Sequence, residues 1–526
     1  MGEQRPSHPL PPVRSVRLGR HDRLQAELKV EYPVHDVLQA AAAFELDIWL
    51  HLPADVGIGP ERTGAESVYQ DLRVQTRLKT PSVHLRDLAD PRGKGSPLVA
   101  LAVLVDAPEQ TPAWARDVRR EARLAARVLR SSGRRVLAAA GRHPDRAREL
   151  MGLMLETCRV VGPRFRALAQ RLRALPLDPP TALCLEATDE YLSLQTELLC
   201  TRAVALLDQV GVDGALRAGL AELARREDDL RRDRHWRSRM PAGHDAVEDE
   251  PFLDQAGLLK RYVERVLILR PVPSRVQRFA HDTILGLAAA LAMSWAVGLQ
   301  VFALYSLDLD LSRGAGTSIV VAFSTIAVLG YILKDRIKAW SAEVLARQLP
   351  RFLDDRGFLL TWGIQATVLG RVSERLKFIP AERLDPEVHR RHEAAMGTPL
   401  AAEVHDDVLH YRRRVVLQPR AALAVFPRFV GVNDTIRLNV ARWVRTLSAP
   451  HRSIVVLDDQ DRPVERRLPN RYSVPVVTRL RSRDASGHPH EEWAVHRILL
   501  TQRGVVRVDA LGQLPEEDRE ETGAFM

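Results

Sequence analysis

The sequence contains few cysteines and almost no lysine. Its three cysteines, Cys158, Cys184 and Cys200, are odd in number, and their spacing matches no zinc or redox motif. A disulfide framework is therefore not expected, and a reducing compartment fits best. Lysine occurs at only 7 positions, so 70 of the 77 basic residues are arginine. The first 22 residues have no apolar core, and a secretory signal is not expected.

Motifs that carry chemistry are also missing. The segment Gly93–Ser96, GKGS, lacks the upstream glycine spacing of a phosphate-binding loop and is typical of a turn. The histidine groups have no metal-ligand spacing: His389 and His392, His405 and His410, and the run from His488 to His496. We therefore expect no metal and no cofactor. The sequence identifies no catalytic residue, which leaves open whether the protein is an enzyme.

The composition is that of a folded, basic protein of several domains. The chain has 526 residues, of which 45% are hydrophobic and 27% charged, with a formal net charge of +10. The excess of arginine has two explanations. A GC-rich genome favours arginine codons, and a cationic surface attracts anionic lipid or nucleic acid without sequence specificity.

Alternating polarity predicts strands near both ends of the chain. The segments 23–32, 44–52 and 72–80 are strand candidates, and the first two suggest an antiparallel sheet. Near the C-terminus the segments 473–482, 492–500 and 504–511 are separated by turn residues, which predicts a meander. Helical periodicity dominates from Pro112 to Arg237 and indicates a bundle or stalk. Residues 433–447 are predicted to form a helix capped by Asn433 or Asp434.

Two runs without charge, separated by nine residues, predict a transmembrane hairpin. The runs cover residues 283–305 and 315–333 and would be about 34 and 28 Å long as helices. A hydrocarbon core is about 30 Å thick, which favours two spans over a buried helical hairpin. Small residues four apart, Gly286 with Ala290 and Ala292 with Ala296, would permit close helix packing or arise by chance in an alanine-rich segment.

Basic residues flank the hairpin, whereas the connecting loop is acidic. This asymmetry predicts a multi-pass protein of the bacterial cytoplasmic (inner) membrane with both termini in the cytoplasm. The cations predicted to lie at the membrane interface are Arg275, Arg278, Lys334, Arg336 and Lys338.

The predicted fold class is thus an α+β membrane protein. It combines a two-helix transmembrane hairpin with a cytoplasmic β-rich N-terminal domain, a helical bundle or stalk, and an α+β C-terminal domain. The predicted segments are 1–20, disordered; 22–105, β-rich domain; 110–240, helical bundle or stalk; 241–252, linker; 253–281, amphipathic approach helix; 283–333, hairpin; 334–512, α+β domain; and 513–526, acidic tail.

A row of arginines recurs along one side of the first long helix. The spacing of three and four residues places them on one face, which we call the arginine stripe: Arg116, Arg120, Arg123, Arg127, Arg130 and Arg134. Such a row could bind lipid phosphates or an acidic partner helix. Alternatively it is a solvated face neutralised by acids such as Glu186, Asp189, Glu190 and Glu197.

Three segments together resemble a group of bacterial two-span inner-membrane proteins that has no assigned activity. They are the uncharged hairpin, the segment YILKDRIK from Tyr331 to Lys338, and VNDTIRLNVARW from Val432 to Trp443. The resemblance covers roughly residue 258 to the C-terminus, together with DLRVQTRLKTPSVHL near the front. It implies the same membrane architecture and no activity or site residue.

These observations favour a membrane-anchored interaction, scaffold or signalling platform without catalysis of its own. Expected partners are membrane lipids and a protein partner or a second copy of the chain. Nucleic acid is not expected, and a small-molecule substrate is left open. The alternatives are a membrane-surface enzyme acting on a lipid-linked or nucleotide substrate, and an oligomeric channel. The runs contain no ionisable residue, which argues against an ion path.

Overall fold

The computed structural model forms two compact units, each assembled from separate stretches of the chain. Unit 1 comprises Met1–Gln75, Arg270–Ala421 and Asp434–Met526, and unit 2 comprises Thr76–Leu269 and Ala422–Asn433. Within these bounds the structure describes residues 15–60, 64–212, 214–238, 249–306, 317–348, 354–363, 365–396, 407–447, 450–483 and 487–511.

The elements are numbered in chain order. The strands are β1 (Val16–Arg20), β2 (Gln25–Pro33), β3 (Ala42–Leu52), β4 (Leu72–Leu78), β5 (Arg270–Pro273), β6 (Arg356–Trp362), β7 (Thr367–Ile379), β8 (Asp407–Leu417), β9 (Gly431–Asn439), β10 (His451–Leu457), β11 (Pro463–Pro469), β12 (Tyr472–Arg483), β13 (Pro489–Thr501) and β14 (Gly504–Leu511). The helices are α1 (Ala65–Asp71), α2 (Leu85–Ala89), α3 (Pro97–Asp106), α4 (Pro112–Arg142), α5 (Ala147–Arg173), α6 (Pro179–Val210), α7 (Ala215–Asp233), α8 (Glu250–Glu264), α9 (Arg275–Ser306), α10 (Thr317–Gln348), α11 (Pro386–Met396), α12 (Pro419–Val425) and α13 (Ala441–Thr446).

An eight-stranded antiparallel sheet organises unit 1. Its order is β14-β13-β12-β3-β8-β7-β6-β5, so that β3 lies between β8 and β12. Successive side chains of a strand point to opposite faces of the sheet. Along β3 the apolar residues therefore share one face, whereas Glu45, Asp47, Trp49 and His51 share the other.

The apolar face of this sheet packs on the second sheet, whose order is β1-β2-β9-β4. Ile48 and Leu50 on β3 and Leu409 on β8 meet Leu28 on β2 and Ile436 on β9 around a cavity of about 40 Å³. Ligand cavities usually measure about 300–1,000 Å³. This narrow gap therefore belongs to the core of a β-sandwich.

A buried ion cluster crosses that core. Arg413 on β8 donates from Nε to the Asp434 carboxylate on β9 at 2.6 Å and from Nη1 to Glu374 on β7. Tyr411 donates its hydroxyl to the same Glu374 carboxylate at 2.9 Å. All four residues are nearly inaccessible to water. Since an isolated charge is costly in such a place, the three ionised side chains depend on one another.

Unit 2 is helical. The long helices α4, α5 and α6 share a continuous apolar core with α7 and with Leu259 and Val263 of α8. The helix α4 is capped by Thr111, whose side chain accepts a hydrogen bond from the Trp114 backbone at 3.1 Å. At Gly133 a Cβ atom would lie 2.6 Å from the Leu199 side chain, so glycine lets α4 and α6 approach closely.

Several sequence predictions of local structure are confirmed. The segments 23–32, 44–52 and 72–80 coincide with β2, β3 and β4, and β12, β13 and β14 form the predicted antiparallel meander. The region from Pro112 to Arg237 contains the helices α4 to α7. However, β2 and β3 lie in different sheets, since the partners of β3 come from the C-terminal half of the chain.

The predicted helix over residues 433–447 is wrong in its first half. Residues 431–439 form strand β9, and the short helix α13 begins only at Ala441. Asp434 resembled an N-cap, but its side chain is buried against Arg413. The alternation of Asp434, Ile436 and Leu438 places them on the inner face of a strand.

The predicted transmembrane hairpin is also wrong. Among the described residues, no helix is both long enough and apolar enough to cross a bilayer. The first run lies inside α9, and the second, from Thr317 onward, lies inside α10. The prediction depended on the absence of charge, but a membrane span must also be sufficiently apolar over its whole length. The membrane part of the fold class and the multi-pass inner-membrane localisation with both termini in the cytoplasm are corrected accordingly.

The Arg413 cluster predicts a large loss of stability on truncation. Replacing Arg413→Ala leaves Glu374 and Asp434 buried without a cation, which should cost about 3–5 kcal/mol. The measurement is the free energy of unfolding of unit 1, taken from its transition when the full chain is unfolded in urea. Arg414→Ala is the matched control, since Arg414 is exposed and should cost at most about 1 kcal/mol. Equal losses for the two variants would contradict the role of the cluster.

Candidate functional site

Polar and aromatic residues gather on the outer face of the eight-stranded sheet. Alternation along each strand and the registers across β7, β8, β3, β12 and β13 bring them together. We call this surface the charged face. It consists of Glu45, Asp47, Trp49, His51, Arg371, Arg375, Lys377, His410, Arg412, Arg414, Arg479, Arg481 and Trp493.

Asp47 is the centre of the charged face. Its carboxylate is fully buried and faces Arg412 and Arg479 directly across the two neighbouring strands. Oδ1 lies 2.8 Å from Nε2 of His410 and 2.9 Å from Nε of Arg412. Oδ2 lies 2.9 Å from Nη2 of Arg479 and 3.3 Å from Nη2 of Arg481. One carboxylate therefore holds side chains from both adjacent strands.

These contacts keep Asp47 ionised. Burial alone would raise the pKa of the carboxyl, but hydrogen bonds from His410 and Arg412 outweigh it and hold the pKa well below its usual range. Burial also lowers the pKa of His410, although the neighbouring Asp47 partly opposes this shift. His410 is therefore neutral at pH 7 and donates its Nε2–H to Asp47.

Aromatic rings continue the arrangement next to Asp47. Trp49 stacks on His410 with ring centroids 4.9 Å apart and on Trp493 at 6.0 Å. The Arg479 guanidinium lies 5.2 Å from the centroids of both tryptophan rings, and Arg391 of α11 lies 4.6 Å from that of Trp493. Cations over aromatic faces are favourable in this range. The rings thus hold the guanidinium of Arg479 in position.

Helix α11 covers the apolar end of the charged face. Val388 packs with Trp49, Val408 and Val477 in a small core cluster. Beside it, His392 of α11 stacks on His51 of β3 with ring centroids 3.8 Å apart and ring planes 1° from parallel. Both Nε2 atoms are buried, and neither has a hydrogen-bond partner within the described residues.

The stacked histidines are held neutral. Burial, followed by the nearby His392 and His389, lowers the pKa of His51 to about 3. Burial also lowers the pKa of His392. Two imidazolium rings in face-to-face contact would repel each other, so the packing of α11 on the sheet requires neutral rings.

Positive charge exceeds negative charge on the opposite half of the charged face. Arg414 contacts Glu45 at 3.1 Å, and Arg481 contacts the same carboxylate. Lys377 has no carboxylate within ion-pair distance among the described residues. Burial lowers its pKa, and the charges of Arg375 and Arg412 lower it further. Lys377 therefore experiences a positive local potential.

The arginine stripe lies on α4 and makes contacts inside unit 2. Arg120 pairs with Asp117 and Glu121, and Arg127 and Arg130 share Glu264 at 2.9 and 2.6 Å. The remaining members are Arg116, 3.7 Å from Asp117; Arg123, over the Tyr262 ring at 4.2 Å; and Arg134, half-buried with a pKa lowered by burial and then by Arg130 and Arg202. Whether the stripe also binds an anionic partner stays a prediction.

The acids proposed to neutralise the stripe mostly contact other groups. Asp189 pairs with Arg166 and Arg234, and Glu197 with the buried Arg231. Glu190 accepts from Gln255 at 3.0 Å. Glu264, the acid that Arg127 and Arg130 share, was not predicted as their partner. It lies 137 and 134 residues away from them in sequence.

The five cations predicted for a membrane interface lie on α9 and α10. Lys334 lies 4.0 Å over the ring of Tyr331 and 3.9 Å from Asp335, and Arg336 and Lys338 are exposed. Arg275 and Arg278 belong to the first turn of α9, and their side chains lie outside the described residues. The interface role of all five depended on the hairpin prediction.

Neither a metal site nor a known relative explains the charged face. The described residues contain no group of three or more histidine, cysteine or acidic side chains that could hold a metal ion. Comparison with protein families, with curated proteins and with solved structures finds no match. The function of the charged face therefore has to follow from the charges and contacts of its own residues. The signal for it in the sequence was Asp47, an acid in the middle of a strand rich in large apolar residues.

Removal of the Asp47 charge should destabilise unit 1 in a pH-dependent way. Asp47→Asn leaves Arg412 and Arg479 without their carboxylate, and we expect a loss of about 3 kcal/mol at pH 7. Because the folded pKa is depressed, this contribution is complete above the unfolded value of 3.8 and declines as the pH falls below it. Urea unfolding of both proteins from pH 7 to below pH 3 measures the difference.

The exposed Glu66, which pairs with Arg356, provides the control for Asp47. Glu66→Gln should change the free energy of unfolding by less than about 1 kcal/mol across the same range. A difference between wild type and Asp47→Asn that stays constant down to pH 3 and below would show that ionisation of Asp47 is not responsible.

His51 should make the stability of unit 1 depend on pH in a higher window. Unfolded His51 takes up a proton near pH 6.5, whereas the folded residue does so only near pH 3. Stability should therefore fall from pH 6.5 downward, by at most about 1.4 kcal/mol per pH unit. His51→Phe keeps a stacked ring without a titrating group and should flatten this dependence in urea unfolding. The exposed His143→Phe should leave it unchanged.

Proposed function

We propose that the protein is a non-catalytic binding platform that recognises a carboxylate-rich segment of another protein on the charged face of unit 1. The observation that carries the proposal is the excess of cations around Asp47. Arg412, Arg414, Arg479 and Arg481, with Arg375 and Lys377 of β7, are six cations and outnumber the acids beside them, which are Glu45, Asp47, Asp354 near Arg412, Asp385 at 3.7 Å from Arg479, and Glu491 opposite Arg481. Arg412, Arg414 and Arg481 retain about a third to a half of their side-chain exposure.

The chemistry of these cations favours carboxylates. Guanidinium groups present a planar fork of donors that matches a carboxylate. The charged face already uses this geometry internally, since Arg481 and Arg414 both contact Glu45 and Arg479 contacts Asp47. An incoming glutamate or aspartate would meet donors whose directions are already fixed by these pairs and by the stacked rings.

The shape of the surface favours an extended ligand. The cations occupy neighbouring strands of a sheet, with about 4.8 Å between strands and 6.8 Å between residues two apart. Spacings of this kind suit a peptide segment with repeated acidic side chains. Nucleic acid is less suited to this surface, because Trp49 is only 3% exposed and both tryptophans are already stacked.

The test is binding of a fluorescein-labelled twelve-residue oligoglutamate peptide to the full chain, followed by fluorescence polarisation at low salt. Arg371→Glu with Lys377→Glu reverses two exposed charges on the outer face of β7. We expect at least tenfold weaker binding, and an affinity of the wild type that decreases steadily with salt.

The control is Arg142→Glu with Arg226→Glu, which changes the net charge equally at two exposed sites of unit 2. Equal weakening by both pairs would place oligoglutamate binding elsewhere, and absence of binding to the wild type would contradict the proposal. A single-stranded oligonucleotide of the same length is tested in the same way. If it binds more tightly than the peptide and is equally sensitive to the β7 pair, the ligand of the charged face is nucleic acid and not an acidic segment.

A further inference from the structure

The helices α9 and α10 expose many large apolar side chains. Those at least 39% accessible are Phe279, Leu287, Leu291, Met293, Trp295, Val297, Val301, Phe302 and Tyr305 on α9, and Val321, Val328, Leu329, Tyr331, Ile332, Leu333 and Trp340 on α10. The largest apolar patch of a typical monomer covers about 300–600 Å². The surface of this helix pair is larger, and an exposed patch of this kind indicates an interaction site.

The contact between the two helices uses only one side of α9. Ala288 and Ala292 are buried there, and Ala296 is half-buried. On α10, a Cβ atom at Gly330 would lie 3.2 Å from the Leu299 side chain of α9. Small residues therefore bring α9 and α10 together, and the predicted pair Ala292 and Ala296 takes part in this contact.

A second row of small residues lies on the opposite side of α9. Gly286, Ala290, Ser294 and Gly298 follow each other at intervals of four, and all are exposed. A Cβ atom at Gly286 or Gly298 would meet nothing within 4 Å. Helical geometry places Leu287 and Leu291 on one side of this row and Met293, Val297 and Val301 on the other. We call these nine residues the outer α9 face.

We infer that the outer α9 face is the interface between two copies of this chain, related by a twofold axis. A large side chain offers about 150–200 Å² when exposed. Because α10 packs on the other side of α9, only the nine exposed large side chains of α9 count; they are 39–88% accessible and provide on the order of 800 Å². A standard protein interface needs about 800 Å² from each partner. The available apolar area is thus sufficient for a stable dimer.

Charge also favours a second copy as the occupant. None of the described side chains between Thr283 and Leu333 is charged. The face therefore offers no charge pattern to select a different acidic or basic partner, and two copies meet without like-charge repulsion. In a twofold interface the same patch serves both partners, so the small row of one α9 helix meets the row of the other at close distance.

This inference is independent of the binding of acidic segments and is tested on the full chain by sedimentation velocity at micromolar concentration. The wild type should sediment with twice the 59.0 kDa mass of the chain. Ala290→Arg with Gly298→Arg places two charged, bulky side chains on the small row and should weaken dimerisation at least tenfold. Gly152→Arg with Gly257→Arg is the matched control, since a Cβ at either glycine also meets nothing within 4 Å.

A second measurement does not rely on loss of association. Ser294→Cys should form a disulfide between copies under mild oxidation, because residues near a twofold axis face their own counterparts. The natural cysteines are buried and give no background, and Leu183→Cys, an exposed site on α6, should not crosslink. A monomeric wild type, a dimer unaffected by the Ala290/Gly298 variant, or a monomer that floats with phosphatidylglycerol-containing vesicles would overturn the inference.

Discussion

The burial of Asp47 sets the conditions for the rest of unit 1. A carboxylate at the centre of a sheet is tolerated only if donors surround it, and here His410, Arg412, Arg479 and Arg481 converge from both neighbouring strands. The register of β3 against β8 and β12 is thereby fixed, since a shift of one residue would move Asp47 into the apolar core. The same requirement assembles the cations that we propose to bind an acidic partner.

Buried charges are stabilised in different ways on the two faces of the eight-stranded sheet. On the inner face, Arg413 is enclosed between Glu374 and Asp434, and the cluster is closed to solvent. On the outer face, Asp47 is the charged side chain that is fully buried, whereas its arginine partners keep part of their surface in water. Only the second arrangement leaves donors for an external ligand. The inner cluster stabilises the sandwich, and the outer one is the candidate binding surface.

Local periodicity predicted where strands and helices lie better than it predicted which elements pack beside each other. The strands β3, β12, β13 and β14 and the long helices α4 to α7 follow from patterns within ten to thirty residues. The site could not be predicted in this way, because Asp47 and His410 are 363 residues apart in sequence. Asp434 misled for a related reason. An acid before an apolar stretch suggests a helix cap, and only the distant Arg413 makes it a buried strand residue.

The two uncharged runs show that a lack of charge in the sequence can have more than one structural cause. Lack of charge indicates that a segment avoids water, but it does not identify what replaces the water. In α9 the residues Ala288 and Ala292 are covered by α10, whereas Gly286 and Gly298 have open space beside them. Glycine in the interior of a helix costs about 1 kcal/mol relative to alanine. Two exposed glycines in one helix are therefore best explained by a close approach from outside, which their missing side chains permit.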